Sequence, residues 1–188
     1  MRLRSLAILT IVMLGLAAVS QAVEVQPTDP PAVLQRYIDA QNAGAVEAAL
    51  ALWAEDGRMT NTRGRTFTGT EELRRFIQGN VARKIRQEPE SIETAGEKVT
   101  WINRESNEAY RQLKVTPVQR NSEIIVRKGH ITSWVNYFPV DEIARIEQAC
   151  ATPEGQDVLL NDQPCSQFIE QAKAQTARVN GASTSGPR

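Results

Sequence analysis

From Pro30 to Gln41 apolar residues recur at Val33, Leu34, Tyr37 and Ile38, the spacing of one buried helical face. Thr28 or Asp29 can cap this helix, Pro30 and Pro31 suit its first turn, and Asn42-Ala43-Gly44 stops it. A shorter helix is predicted from Val46, with Ala49, Leu50, Leu52 and Trp53 on its apolar side and Glu55-Asp56-Gly57 as its end. Met59–Thr62 and Arg65–Thr68 alternate as two short strands around Arg63-Gly64. A third helix opens at Thr70, with Glu71 and Glu72 in its first turn and Leu73, Phe76, Ile77 and Val81 as its buried stripe. The basic residues of that region (Arg74, Arg75, Arg83, Lys84 and Arg86) read as a solvated face.

After Ser91 the period changes from helical to two. Residues 92–93, 99–107, 109–118, 122–127 and 130–138 read as strands, and Lys128-Gly129 forms the turn between the last two. Two helices follow, over residues 141–149 and from about 166 to 178. The sum is an α+β protein: helices first, then a strongly curved antiparallel sheet, then a helical appendage.

The chain ends change the picture. Arg2 and Arg4 precede an apolar run from Leu6 to Val19 that closes in Ser20-Gln21-Ala22, the order of a secretory signal peptide. The run is shorter than the roughly 20 residues of a membrane span, so cleavage and a periplasmic or secreted product are expected, without stable membrane insertion afterwards. Removing residues 1–22 leaves 166 of 188 residues, and the loss of two arginines leaves 20 basic against 22 acidic side chains. So balanced a surface offers nothing for nucleic acid. Export also favours joining Cys150 to Cys165. The expected organisation is a signal peptide (1–22), a linker (23–30), one domain (31–149), a disulfide-closed loop and helix (150–178) and a disordered tail (179–188). No metal-ligand cluster, phosphate loop or Ser-His-Asp order occurs, so no cofactor is expected, and His130 reads as a turn residue.

Three stretches carry a resemblance. Val33 to Gly44 followed by Ala49 to Gly57, and Phe67 to Phe76, resemble the opening of the nuclear transport factor 2-like superfamily, in its SnoaL-like and ketosteroid isomerase branches. Gly129-His130-Ile131-Thr132-Ser133-Trp134-Val135-Asn136-Tyr137-Phe138 is similar to the closing strand of limonene-epoxide-hydrolase-like members. The resemblance spans about residues 30–149. It implies a cone-shaped sheet wrapped around a long helix, with an apolar pocket between them.

It also implies site positions. Tyr37 stands where ketosteroid isomerases hold an oxyanion tyrosine, but Asn61 occupies the place of their basic aspartate and Ser122 that of their second acid. Asparagine cannot abstract a proton from carbon at neutral pH. Against the epoxide hydrolase pattern, Met59-Thr60-Asn61 keeps the asparagine and loses the tyrosine, Arg104 is kept, and Ser106 and Asn136 replace two aspartates. Glu105 is assigned to the opposite sheet face from Arg104, leaving Glu108 and Asp56 as substitute acids. Strand alternation joins Trp134 and Phe138 to Asn136. The expected ligand-binding set is therefore Tyr37, Met59, Asn61, Arg104, Ser106, Trp134, Asn136 and Phe138, although Trp53, Trp101 and the other aromatics serve equally as core.

Three functions follow from this reading. The first is an exported module binding a small, largely apolar molecule without the family's acid/base carboxylates. The second is a hydrolase, isomerase or lyase that uses displaced acids. The third is a non-catalytic interaction module that forms a homodimer through the sheet. The balance leans away from an enzyme.

Overall fold

A computed structural model describes residues 28–183. The expected signal peptide, most of the linker and residues 184–188 lie outside the described residues. Helix α1 (Pro30–Asn42) starts where Asp29 Oδ2 accepts from the Ala32 amide, with both prolines in the first turn. Helix α2 (Val46–Leu50) is short, and strand β1 (Trp53–Thr60) begins almost at once. Glu55-Asp56-Gly57, expected to stop a helix, lies inside that strand. The register breaks between Trp53 and Arg58, so Glu55 and Asp56 both face solvent and the alternation that marks a strand is lost. Gly57 is required at this irregularity, because a Cβ there would sit 2.9 Å from both the Ala54 carbonyl oxygen and the Trp53 ring.

Strand β2 (Thr66–Thr68) pairs with β1 and leads into α3 (Gly69–Ala82). That helix begins before the expected Thr70 cap, with the Glu72 carboxylate accepting from the Thr68 amide at 2.8 Å. Strands β3 (Arg86–Ala95) and β4 (Lys98–Ser106) follow. The run expected as a strand over 109–118 is instead helix α4 (Glu108–Gln112) and a loop. Asn107 caps α4 by accepting from the Tyr110 amide at 2.9 Å. Strands β5 (Val118–Arg127) and β6 (His130–Tyr137) complete a curved six-stranded sheet of order β2-β1-β6-β5-β4-β3. Every pairing is antiparallel except β1 with β6, which makes the sheet mixed.

Helices α1 and α3 press on the concave face and enclose the larger core, which holds Leu34, Tyr37, Leu73, Ile77, Trp101, Ile124 and Trp134. A second core gathers α4, α5 (Val140–Cys150), a small hairpin of β7 (Leu159–Leu160) and β8 (Gln163–Pro164), and α6 (Cys165–Ser183). The tail expected from residue 179 is still helical to Ser183. Val118 and Phe138 tie this second core to the ends of β5 and β6. Cys150 and Cys165, 15 positions apart, form a disulfide with Cα atoms 5.8 Å apart that closes a loop containing the hairpin.

Closing a loop of that length is worth about 3 kcal/mol by chain entropy. The double variant Cys150→Ala/Cys165→Ala should therefore lose ~2–4 kcal/mol in urea unfolding of the chain. Unchanged stability would mean that the second core holds the appendage without the bond.

Candidate functional site

The narrow end of the cone is filled by the protein's own aromatic side chains. Tyr37 meets Trp134 edge-on at 4.8 Å and Trp53 at 6.0 Å between ring centroids, and Trp101 meets Trp134 at 5.2 Å. The Tyr37 hydroxyl donates to Gln41 Oε1 at 3.2 Å. Asn136 Oδ1 accepts from Trp134 Nε1 and Ser122 Oγ, both at 2.7 Å. The expected alternation on β6 holds: Trp134, Asn136 and Phe138 are buried, while Val135 and Tyr137 are half-exposed. Phe138, however, turns into the second core against Phe168.

The open space is at the wide end, a cavity of about 450 Å³. Met59, Phe67, Phe76, Ile85 and Tyr110 form its apolar wall. Arg63, Arg65, Arg83 and Arg120 line it as well, together with Asn161, Asp162 and Gln163 of the appendage hairpin. Of the expected ligand-binding residues, Met59 and Asn61 line this cavity. Tyr37, Trp134 and Asn136 are packed into the core beyond it. Asn61 Oδ1 accepts from the amides of Arg63 and Arg65 at 3.0 and 3.1 Å, so the side chain shapes its own turn.

Strand β4 corrects the expected facing of Arg104 and Ser106. Asn136 pairs with Ser122 and Ser122 with Trp101, so the inward positions of β4 are Trp101, Asn103 and Glu105. All three are buried, whereas Arg104 and Ser106 lie half-buried on the convex face. Arg104 Nη1 there donates across the strands to Glu90 Oε1 at 3.1 Å. Glu105 does lie on the face opposite Arg104, but that face is the interior. Alternation along a single strand leaves its parity open, and only pairing with β5 decides which face of β4 turns inward. The suggested substitutes are outside the site: Asp56 is exposed, and Glu108 pairs with Arg111 at 2.9 Å.

Glu105 forms a buried ion pair with Arg120, the two side chains being 4% and 11% exposed. Arg120 Nη2 also donates to Gln87 Oε1 at 2.7 Å, and the guanidinium lies against the buried Asn103 amide. Sequence reasoning missed Arg120 and Arg83, which sit on an unremarkable strand and an apparently solvated helix end. Burial raises the Tyr110 phenol pKa, with the Glu105 carboxylate adding to the effect. Burial likewise raises that of Tyr37.

Residues 34–119 match the family model described as a SnoaL-like domain. Over this stretch, a little under half of the chain, the protein is similar to SnoaL-like domains. Its nuclear transport factor 2-like fold recurs in solved structures. The epoxide hydrolase/cyclase-like enzyme SalBIII, associated with pyran ring formation in the polyether salinomycin, is 17% identical with a TM-score of 0.52, the alignment covering 60% of this chain and 92% of that one. A Mycobacterium tuberculosis protein in complex with estradiol-17β-hemisuccinate is 19% identical with a TM-score of 0.51, over 62% of this chain and 98% of that one. A computationally designed 17-OHP binder is 20% identical with a TM-score of 0.51, over 60% and 92%. No curated protein matches the sequence.

Two outcomes follow from these groups. Replacing Glu105 by Gln strands the Arg120 charge in the interior and should cost ~3–5 kcal/mol, whereas Glu105→Gln/Arg120→Met should recover most of it. Chemical denaturation of both variants checks this; equal losses would show that packing rather than charge dominates. A phenol whose pKa is raised on folding stabilises the fold fully below its unfolded value of 10.0 and loses that contribution as pH rises beyond it. Stability should fall above pH ~10 by up to ~1.4 kcal/mol per unit for each phenol, and Tyr37→Phe should flatten that fall. Equal alkaline slopes in the two proteins would remove Tyr37 from the account.

Proposed function

We propose that this SnoaL-like domain is exported and binds a small organic molecule at the wide end of its cone. The observation that carries the reading is the cavity of about 450 Å³, in which an apolar wall of Met59, Phe67, Phe76 and Ile85 faces polar groups. That combination of apolar enclosure with a few directed donors suits ligand binding. Proteins of the same fold in complex with estradiol-17β-hemisuccinate, or designed to bind 17-OHP, support it. The disulfide between Cys150 and Cys165 supports an oxidising compartment.

One observation favours a second reading, that of a hydrolase, isomerase or lyase. Glu105 supplies a buried carboxylate to the cavity, where Arg120 orients it beside the Tyr110 ring. A carboxylate so held is the kind of group that moves a proton to or from a substrate.

Native mass spectrometry of the chain recovered from its own host tests the first reading. A stoichiometric small-molecule adduct is expected, and Gly79→Trp, which fills the cavity from α3, should abolish it. An empty chain whose affinity for added small apolar molecules is the same with and without the plug would overturn it. Turnover of a limonene-type epoxide or a β,γ-unsaturated ketosteroid, lost in Glu105→Gln, would select the enzyme instead.

A further inference from the structure

Five guanidinium groups line the cavity, and their partners are unequal. Arg120 is engaged by Glu105 and Gln87. Arg75 lies 3.9 Å from Glu72, and Arg65 rests 4.6 Å above the Phe67 ring. Arg83 reaches Asp162 Oδ2 and Asn80 Oδ1, each only at 3.5 Å, and the Asp162 side chain is 85% exposed. The Arg63 guanidinium has no hydrogen-bonding or ion-pair partner among the described residues. The Nε atoms of both Arg63 and Arg83 are buried without a hydrogen-bond partner.

Leaving such donors unsatisfied is costly, and two like charges on one cavity add repulsion. Burial lowers the Arg63 pKa, and the neighbouring charges of Arg83 and Arg65 lower it further, against a smaller opposing effect of the Asp162 carboxylate. The group is also held in place. Asn61 Oδ1 accepts from the amides on both sides of the turn, Gly64 supplies a left-handed φ of +76°, and Arg178 of α6 covers that glycine so closely that a Cβ there would collide with its guanidinium. The unpartnered guanidinium therefore sits on a turn fixed from two sides, at the seam between cone and appendage.

We propose that Arg63 and Arg83 form an oxyanion site at the cavity mouth, which takes the carboxylate or phosphate end of a ligand whose apolar body lies against Phe67 and Phe76. This rests on the ligand-binding reading above and adds the charge of the ligand to it. An oxyanion in the cavity engages the guanidinium groups of both residues, through the charge-assisted geometry for which arginine is suited. Asp162 is the internal stand-in: exposed, at the limit of hydrogen-bonding distance, and displaced by an anion that binds better.

Isothermal titration of the disulfide-intact chain with cyclohexanecarboxylate, phenyl phosphate and the neutral cyclohexanecarboxamide tests this. At least one anion should bind about tenfold or more tightly than the carboxamide, and the tighter of the two identifies the headgroup class. Arg63→Gln and Arg83→Gln should each bring that preference to within about twofold while leaving carboxamide affinity unchanged. Arg63→Lys, which keeps the charge and loses the fork, should fall between. Asp162→Asn should strengthen anion binding severalfold. Arg127→Gln, in an exposed ion pair with Glu97 at the β5–β6 turn, changes net charge equally and should keep the wild-type preference. Equal binding of anions and carboxamide, or a preference that survives in Arg63→Gln/Arg83→Gln, would overturn the oxyanion site and leave the ligand-binding cavity standing. Failure of all three probes to bind would overturn both.

Discussion

Tyr37, Trp53, Trp101 and Trp134 occupy the narrow end of the cone, and the placement of the other groups follows from that plug. Four large rings pack there in edge and stacked contact, so α1 and the sheet are held at a separation set by aromatic packing. The polar groups beside them, Asn136, Ser122 and Gln41, are consumed in hydrogen bonds within the plug. The cavity of about 450 Å³ lies beyond this plug, between the β1–β2 turn, α3 and the appendage hairpin, where the chain supplies other walls.

Those walls are polar because the strands reaching the mouth bring charge inward. Glu105 and Arg120 share the concave face of neighbouring strands and neutralise one another at low exposure. A buried pair of this kind is weak evidence for stability but strictly fixes where each charge stands. Arg63 and Arg83 approach from the β1–β2 turn and the end of α3 without an equivalent acid of their own. The fold thus neutralises Arg120 fully and Arg63 and Arg83 only in part.

Much of the architecture was legible where one face of an element is buried. Pro30-Pro31 and the Val33, Leu34, Tyr37, Ile38 spacing specify α1, and Leu73 with Ile77 specifies α3. Strand β3 was nearly invisible, because an edge strand with only Gln87 buried has no alternation to reveal it. Helix α4 was hidden by Asn107, whose capping role is silent until the following amide is seen to reach it. The inward facing of Trp134 and Asn136 could be read along one strand, but that of Arg104 or Glu105 depends on pairing between strands. Arg63, Arg83 and Asp162 meet only through the topology, and no spacing rule joins three residues so far apart in sequence.

The hairpin that closes one side of the cavity belongs to neither the sheet nor the helices that build the cone. Asn161, Asp162 and Gln163 stand on a disulfide-bounded excursion whose apolar anchors, Val158 and Leu160, enter the second core alone. Scaffold and cavity lining are therefore written in different stretches of chain. A relative can exchange residues 161–163, recasting the size and charge of this cavity, while every contact among the cone's aromatic rings stays the same.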